Sequence, residues 1–373
     1  MSKSLITVLL FFIGHSVFSQ TRVLRNPGGD RLSFGTGTER TASISHGDID
    51  GDGDQDVIIA NGRHWPAQNE VYFNNGAGSF SVSRALGAYK STSYAAELGD
   101  LDQDGDLDIA IGNDRAPNRL FFNDGRGQFE EKGGFGNQNS PTRNITLGDI
   151  DGDMDLDIII TNRGQVNEIC LNDGAGNFEE IRYFGEENDS TIDVDLYDID
   201  DDGDKDLVLA NRDGQQNYIY LNDGLTFKSK ISFGTGDDET RSVAIADLDR
   251  DSHPDIVTAN IREPNRIFFG NGEQSFTEQL VLDTVSDASY SMDTGDYDDD
   301  GDIDILIGNY GTPNVLYSND GSGKSFTKIL LSDKEFNTYD IKFADINNDG
   351  YLDVIEANSD GRNVYYRNVL RKE

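Results

Sequence analysis

Seven copies of one acidic nine-residue loop, almost evenly spaced, limit what this chain can fold into more than any other feature. The pattern is fullest at Asp198-Ile199-Asp200-Asp201-Asp202-Gly203-Asp204-Lys205-Asp206, with carboxylates at positions 1, 3, 5, 7 and 9 and glycine at position 6. Copies begin at Asp48, Asp100, Asp149, Asp198, Asp247, Asp296 and Asp345, so the first interval is 52 residues and the other five are 49. A period of that length belongs to solenoids and propellers. Carboxylates crowded into one tight loop repel by on the order of 1 to 4 kcal/mol per close pair unless a cation joins them. Ca²⁺ takes six to eight oxygens at roughly 2.3 to 2.6 Å, which alternating Asp side chains plus one backbone carbonyl supply. Glycine at position 6 permits the positive φ of the turn. The loops therefore predict up to seven bound Ca²⁺ ions.

Each loop is followed by an apolar run ending in Asn (Val57 to Asn61, Ile158 to Asn162, Leu207 to Asn211), then a short polar stretch. A second Asn opens an apolar-aromatic strand (Asn118 to Phe122, Asn217 to Leu221, Asn265 to Phe269). A turn such as Asn172-Asp173-Gly174-Ala175-Gly176-Asn177-Phe178 leads to a fourth strand. Four short strands per repeat, parted by Gly and Asn/Asp turns, are what a propeller blade requires, so the fold class is all-β, a seven-bladed β-propeller with a calcium-binding loop in each blade. The last repeat stops after its third strand. Leu32-Ser33-Phe34-Gly35-Thr36-Gly37 resembles Ile231-Ser232-Phe233-Gly234-Thr235-Gly236 at the end of repeat four, so the N-terminal segment is expected to supply the missing outer strand of blade seven. Pairing the termini in this way removes an open sheet edge.

Residues 1–19 read as a signal peptide: Lys3 is the basic start, Leu5 to Ile13 the apolar core, and Val17-Phe18-Ser19 a cleavage site before Gln20. The apolar core is too short to span a bilayer, which needs about twenty residues. The reading is therefore export, to the extracellular medium, periplasm or cell surface, and no membrane insertion. Residues 20–373 form one propeller domain, since no linker or composition shift divides them. The single cysteine, Cys170, stands where other repeats have Tyr72, Phe121, Tyr220 and Phe268, so it reads as a small buried side chain with no disulfide role. The formal charge of −38 is largely local, because 34 of the 69 acidic residues lie in the seven loops, leaving 35 against 31 Lys and Arg. Seven Ca²⁺ ions would bring the charge to −24, still acidic enough to exclude nucleic acid as a partner.

The Asp-x-Asp-x-Asp-Gly-x-x-Asp loop on a four-stranded repeat, followed by Asn-Asp-Gly-x-Gly-x-Phe, resembles the FG-GAP or VCBS-type repeat, which forms the propeller of integrin alpha subunits and of many secreted bacterial proteins. The resemblance covers residues 21–373. It implies side-chain metal ligands at positions 1, 3, 5 and 9, beside the position-7 carboxylates that the loop pattern itself offers. Loops one and two then present Asp48, Asp50, Asp52, Asp54 and Asp56, and Asp100, Asp102, Asp104, Asp106 and Asp108. Loop three presents Asp149, Asp151, Asp153, Asp155 and Asp157, with Met154 in place of the glycine, which costs roughly 1 kcal/mol. Loop four presents Asp198, Asp200, Asp202, Asp204 and Asp206, and loop six Asp296, Asp298, Asp300, Asp302 and Asp304. Loop five (Asp247, Asp249, Asp251, Asp255) carries Ser252-His253-Pro254 and departs furthest. In loop seven (Asp345, Asn347, Asp349, Asp353) the asparagine keeps an oxygen and removes a charge. The Gly-Ala-Pro half of the family name is missing here, so no integrin-specific mechanism is carried over.

In an up-and-down blade these loops and the Asn-Asp-Gly turns share one face. The opposite face receives Arg63, His64 and Trp65 of repeat one, Arg115, Arg163, Arg212, Arg262 and Tyr310 of repeats two to six, and inter-blade residues including Arg40, Tyr94, Arg143, Arg241, Tyr290 and Tyr339. Of these, Arg63, Trp65, Arg115, Arg212, Arg262 and Tyr310 are the candidate ligand-binding residues. Stacking on Trp and Tyr with hydrogen bonds from Arg and Asn suits a sugar or a carboxylate-bearing ligand. The expected function is a secreted, monomeric binding or adhesion module for carbohydrate or a cell-surface protein. The competing class is a polysaccharide lyase or hydrolase using Glu97, Asp193, Asp195, Asp293, Asp340 and Lys342 in the channel. No catalytic residue is assigned, because His46, His64 and His253 lie on separate segments without an evident nucleophile.

Overall fold

The computed structural model describes residues 22–26, 33–284 and 287–371, so the signal sequence read at residues 1–19 lies outside the described residues. Seven antiparallel sheets are arranged in chain order around a central channel. Blades are numbered here by the acidic loop they carry. Blade one runs through Thr41–Gly47, Asp56–Asn61, Glu70–Phe73 and Val82–Ala85, from the channel outward. The second strand of every blade is buried throughout, which is why those runs are continuous Val, Ile, Leu and Ala rather than alternating. Apolar side chains from adjacent blades interlock, as Ile49, Ile58 and Val71 of blade one do with Ala96, Ile109 and Phe121 of blade two. Cys170 sits in such a cluster, fully buried. No helix among the described residues is long and apolar enough to cross a membrane.

Asparagines tie the blades together on both faces. At the end of the third strand, Asn123 Nδ2 donates to the Ile49 carbonyl of the preceding blade (2.7 Å), and Asn74, Asn172, Asn222, Asn319 and Asn368 make the equivalent bond. Blade five has Gly270 there and lacks it. On the other face, the Asn that opens the third strand donates to the hydroxyl that opens the next blade, as Asn69 does to Ser93 (2.9 Å). Ser93 passes the bond on to Asn113 (2.8 Å). Asn363 donates to Thr41 (3.2 Å) and so carries the relay from blade seven to blade one. Such amides are buried, where an unmade hydrogen bond would cost about 1 to 3 kcal/mol.

Blade seven, built on Thr338–Ala344, Asp353–Asn358 and Asn363–Leu370, receives its outer strand from the other end of the chain. Arg22–Arg25 pairs antiparallel with Arg367 to Leu370, and Ser33–Phe34 pairs with Asn363 and Val364. The Phe34 ring packs against Tyr72, Phe80 and Tyr365, with centroids 5.1, 5.6 and 6.4 Å away.

Candidate functional site

The acidic loops hold their shape by turning carboxylates onto their own backbone. Asp48 Oδ1 accepts from the amides of Gly51 and Asp52, and Oδ2 accepts from Gly53 (2.9, 3.0 and 3.0 Å). Position 9 joins three segments: Asp56 Oδ2 accepts from Ile49 N in the loop and Oδ1 from Asn74 N at the end of the third strand. The same pair of bonds recurs at Asp108, Asp157, Asp206, Asp255 and Asp304. Position 4 is left-handed as well as position 6, which the sequence did not mark, since Gly51, Gln103, Arg250 and Asn348 all occupy it. Met154 and Ser252 take the position-6 conformation despite their side chains, at φ 76° and 70°.

The result is a set of converging oxygens. In loops one to four, positions 1, 3 and 9 bring carboxylate oxygens within 4.8 Å of one another: Asp48, Asp50 and Asp56; Asp100, Asp102 and Asp108; Asp149, Asp151 and Asp157; Asp198, Asp200 and Asp206. In loop five the converging group is Asp247, Asp249 and Asp251 instead. One position-3 oxygen is buried without a hydrogen-bond partner in each of five loops, on Asp50, Asp102, Asp200, Asp249 and Asp298. A buried orphan carboxylate oxygen among two or more hard oxygen donors fits a cation of the calcium type. Burial and neighbouring carboxylates raise the position-3 pKa values, Asp298 to about 6, and burial pushes Asp56, Asp108, Asp157, Asp304 and Asp353 up to about 7. Of the position-7 side chains, Asp155 lies against its own cluster: burial and then the neighbouring Asp153 raise its pKa to about 6, and one of its oxygens is buried without a hydrogen-bond partner. Asp54 and Asp106 pack against the turn glycines Gly76 and Gly125, where an added Cβ would meet a carboxylate oxygen at 2.7 and 2.6 Å. In loop seven Asn347 Nδ2 donates to Asp353 Oδ2 (3.2 Å).

On the opposite face, one structural device recurs in every blade. The innermost strand carries a β-bulge, so Ala42, Tyr94, Arg143, Ile192, Arg241, Tyr290 and Tyr339 are each the extra residue of the ladder. A bulge re-aims its side chain. Six of the seven positions hold something other than Ala, and five of those are Tyr or Arg at the channel mouth. Tyr290 stacks on Tyr310 (5.2 Å) and meets Tyr339 edge-on (4.9 Å). Arg143 lies over Tyr94 (4.5 Å) and pairs with Asp114 (2.8 Å). His64 reaches the Tyr94 hydroxyl (2.9 Å).

The candidate ligand residues fall into different settings around this mouth. Arg63 is spoken for: it lies 4.2 Å over the Tyr339 ring and donates to the Tyr339 hydroxyl and to Ser359 Oγ. Arg212 leans on Asp213 and Glu239, and Arg163 pairs with Asp213 (2.7 Å). Tyr310 joins the tyrosine cluster. Arg115 and Arg262 occupy left-handed loop positions and are exposed, outside the mouth. Trp65 is exposed by 66%, on the loop that gives repeat one its three extra residues.

Below the mouth the channel holds a 370 Å³ cavity lined by Glu97, Asp193, Asp195, Asp293 and Lys342 among others. These carboxylates are engaged between blades. Asp193, Asp195, Asp293 and Asp340 accept the backbone amides of Val243, Ile245, Phe343 and Ile44 in the next blade (3.1, 3.0, 2.8 and 2.9 Å). Burial pushes Glu97 to about 7 and Asp195 to about 6. Burial works against the Lys342 charge, but Asp340, Asp293, Glu97 and Asp193 outweigh it and raise its pKa.

A family model described as an FG-GAP-like repeat matches six overlapping stretches, 48–111, 100–160, 149–209, 198–258, 247–307 and 296–356. The chain belongs to the FG-GAP-like repeat family. Its propeller resembles that of integrin alpha N-terminal domains. No curated protein matches the sequence. Among solved structures, the FG-GAP-like propeller superimposes on BBS1N, crystallised in complex with ARL6DN and soaked with lead (TM-score 0.62, 11% identity, 92% of this chain and 97% of that one). The mercury-soaked form of the same complex gives TM-score 0.60 at 12% identity over 90% and 94%. At such identities the likeness is one of fold.

Proposed function

We propose that this FG-GAP-like propeller is an exported, calcium-stabilised binding or adhesion module whose ligand, a carbohydrate or a cell-surface protein, docks on the face opposite the acidic loops. The observation that carries this reading is the bulge in every innermost strand, which turns Tyr94, Arg143, Arg241, Tyr290 and Tyr339 into one mouth. Metal and ligand are thereby assigned to different faces: Ca²⁺ holds the loops, and the tyrosine and arginine mouth meets the partner. The fold neighbour BBS1N, crystallised with a protein partner, supports an interaction role. The engagement of Asp193, Asp195, Asp293 and Asp340 in blade-to-blade hydrogen bonds favours a module over a polysaccharide hydrolase or lyase, since each carboxylate already has structural work.

The test is a screen of the purified protein against immobilised glycans and cell-surface protein fractions, in calcium and after chelation. Calcium-dependent retention of one ligand class supports the module. Product release from a polysaccharide would replace it with the enzyme, and retention of nothing on either surface would remove it.

A further inference from the structure

Arg241 differs from the other inward-facing arginines of the ligand face. Arg40 pairs with Asp360, Arg143 with Asp114 and Arg163 with Asp213, while Arg63 and Arg212 reach hydroxyls or carboxylates. Arg241 makes no hydrogen bond or ion pair with any described residue. Its guanidinium carbon lies 5.6 and 5.9 Å from the ring centres of Tyr290 and Tyr339, deep enough that burial lowers its pKa. Lys342, further down the same pocket, likewise has no direct partner among the described residues.

Two of the nearby carboxylates are held elsewhere on both oxygens, and Glu97 accepts from Ser45 Oγ (3.1 Å). Asp193 Oδ1 accepts from Asn144 Nδ2 (2.6 Å) and Oδ2 from Ser242 Oγ (2.9 Å) and Val243 N. Asp340 Oδ1 accepts from Ser291 Oγ (2.6 Å) and Oδ2 from Ile44 N. Turning either toward Arg241 or Lys342 would break a bond between blades. Two half-buried cations thus border one 70 Å³ pocket without a direct hydrogen-bond partner, and an enclosed cation is stabilised most by a directly bonded anion.

We infer that the channel mouth takes the carboxylate of an acidic saccharide, a uronic acid, between Arg241 and Lys342. This rests on the binding-module reading and specifies its ligand. The pocket admits a carboxylate but not a whole sugar ring, which would remain above it against the partly exposed Tyr290 and Tyr310. Trp65 stands on the rim of the same face. Arg supplies the planar pair of N–H donors that matches a carboxylate. Glu97, Asp193 and Asp340 line the same pocket and repel a dianion more than a monoanion, which favours a carboxylate over phosphate.

The experiment is calorimetric titration of the calcium-loaded full-length protein with galacturonate, glucuronate and mannuronate oligosaccharides, the methyl ester of each, inorganic phosphate and a polyglutamate peptide. At least one uronate series should bind, its ester and phosphate should not, and Arg241→Gln should weaken binding by about thirtyfold or more without moving the calcium-dependent melting. Arg241→Lys should restore part of the affinity. If Arg241→Gln does not fold, the lysine variant and the esters carry the test. Failure of every uronate, or esters that bind equally well, would overturn the inference. Polyglutamate bound with the same Arg241 dependence would overturn the saccharide and put an acidic protein in its place. A neutral glycan or protein bound without regard to Arg241 would overturn the site while leaving the module, and only an empty ligand screen would take both.

Discussion

At the ninth position of loops one to four a single carboxylate serves the fold and completes the acidic group at once. Asp56 is held by the amides of Ile49 and Asn74 and also stands within 4.8 Å of Asp48 and Asp50 oxygens. Burial, followed by neighbouring carboxylates, sets its pKa at about 7, and Asp206 and Asp255 reach about 6. Folded values above the ordinary 3.8 mean that the metal-free folded state holds protons the unfolded chain releases. The stability these groups contribute is complete below about pH 4 and is lost as pH rises through 6 to 7. Metal-free protein should therefore melt at a higher temperature at pH 5 than at pH 8. Calcium should reverse the order, because Ca²⁺ competes with those protons and binds better as they leave. Thermal melts at the two pH values, with and without calcium, check both signs, and a metal-free protein that melts higher at pH 8 would contradict the assignment. Trp65 bears the other residue-level expectation. Being exposed by 66%, it should emit as a solvated indole, and Trp65→Ala should move stability by no more than about 0.5 kcal/mol. Ligand affinity should fall by roughly 1 to 3 kcal/mol if the residue flanks the bound sugar.

At the level of loops and strands, what the sequence displayed and what it hid have separate physical causes. The acidic loops were legible because each position has a fixed chemical demand: carboxylates at 1, 3 and 9 and a left-handed residue at 6. Met154 shows the limit of such a demand, since φ 76° is kept at a non-glycine residue whose backbone N–H donates to Asp149 Oδ2 (3.1 Å). Because its side chain is exposed by 86% and loses no packing, Met154→Gly should stabilise the protein by about 1 kcal/mol, read by denaturant unfolding. The order of strands was also legible, as was the partner of the open third strand in blade seven, since Ser33-Phe34-Gly35 repeats Ser232-Phe233-Gly234. The bulges were not. Their positions hold Ala42, Tyr94, Arg143 and Ile192, among others, so no residue type marks them, and the channel mouth could be read only as inter-blade segments. The asparagines showed as a repeated polar stretch, but their role between blades depends on the ring bringing Asn363 to Thr41. Arg63 and Arg212 were singled out by type, and the structure commits them to Tyr339, Ser359, Asp213 and Glu239.

For the whole ring, the proposed contribution of metal and the contribution of closure to stability can be separated by experiment. Each site at a calcium concentration of 100 Kd adds roughly 2.7 kcal/mol, so exhaustive chelation should lower Tm by many degrees, and an unchanged Tm would sink the calcium proposal. Closure depends on Arg22–Arg25 for strand pairing and on Phe34 for packing. Phe34→Ala removes a ring enclosed by Tyr72, Phe80 and Tyr365 but leaves the strand hydrogen bonds, and should cost about 3 kcal/mol. Deleting residues 21–35 removes the ring and also leaves the outer edge of Asn363–Leu370 unpaired, an invitation to pair with another chain. The deletion should therefore do what the point substitution cannot, adding concentration-dependent aggregation to the loss of stability. Sedimentation velocity of the two variants at several concentrations, in saturating calcium so that the metal contribution is held fixed, separates them. A deletion variant that stays monomeric and melts no lower than Phe34→Ala would mean that the ring is closed by the Asn363 to Thr41 relay and the core between blades seven and one alone.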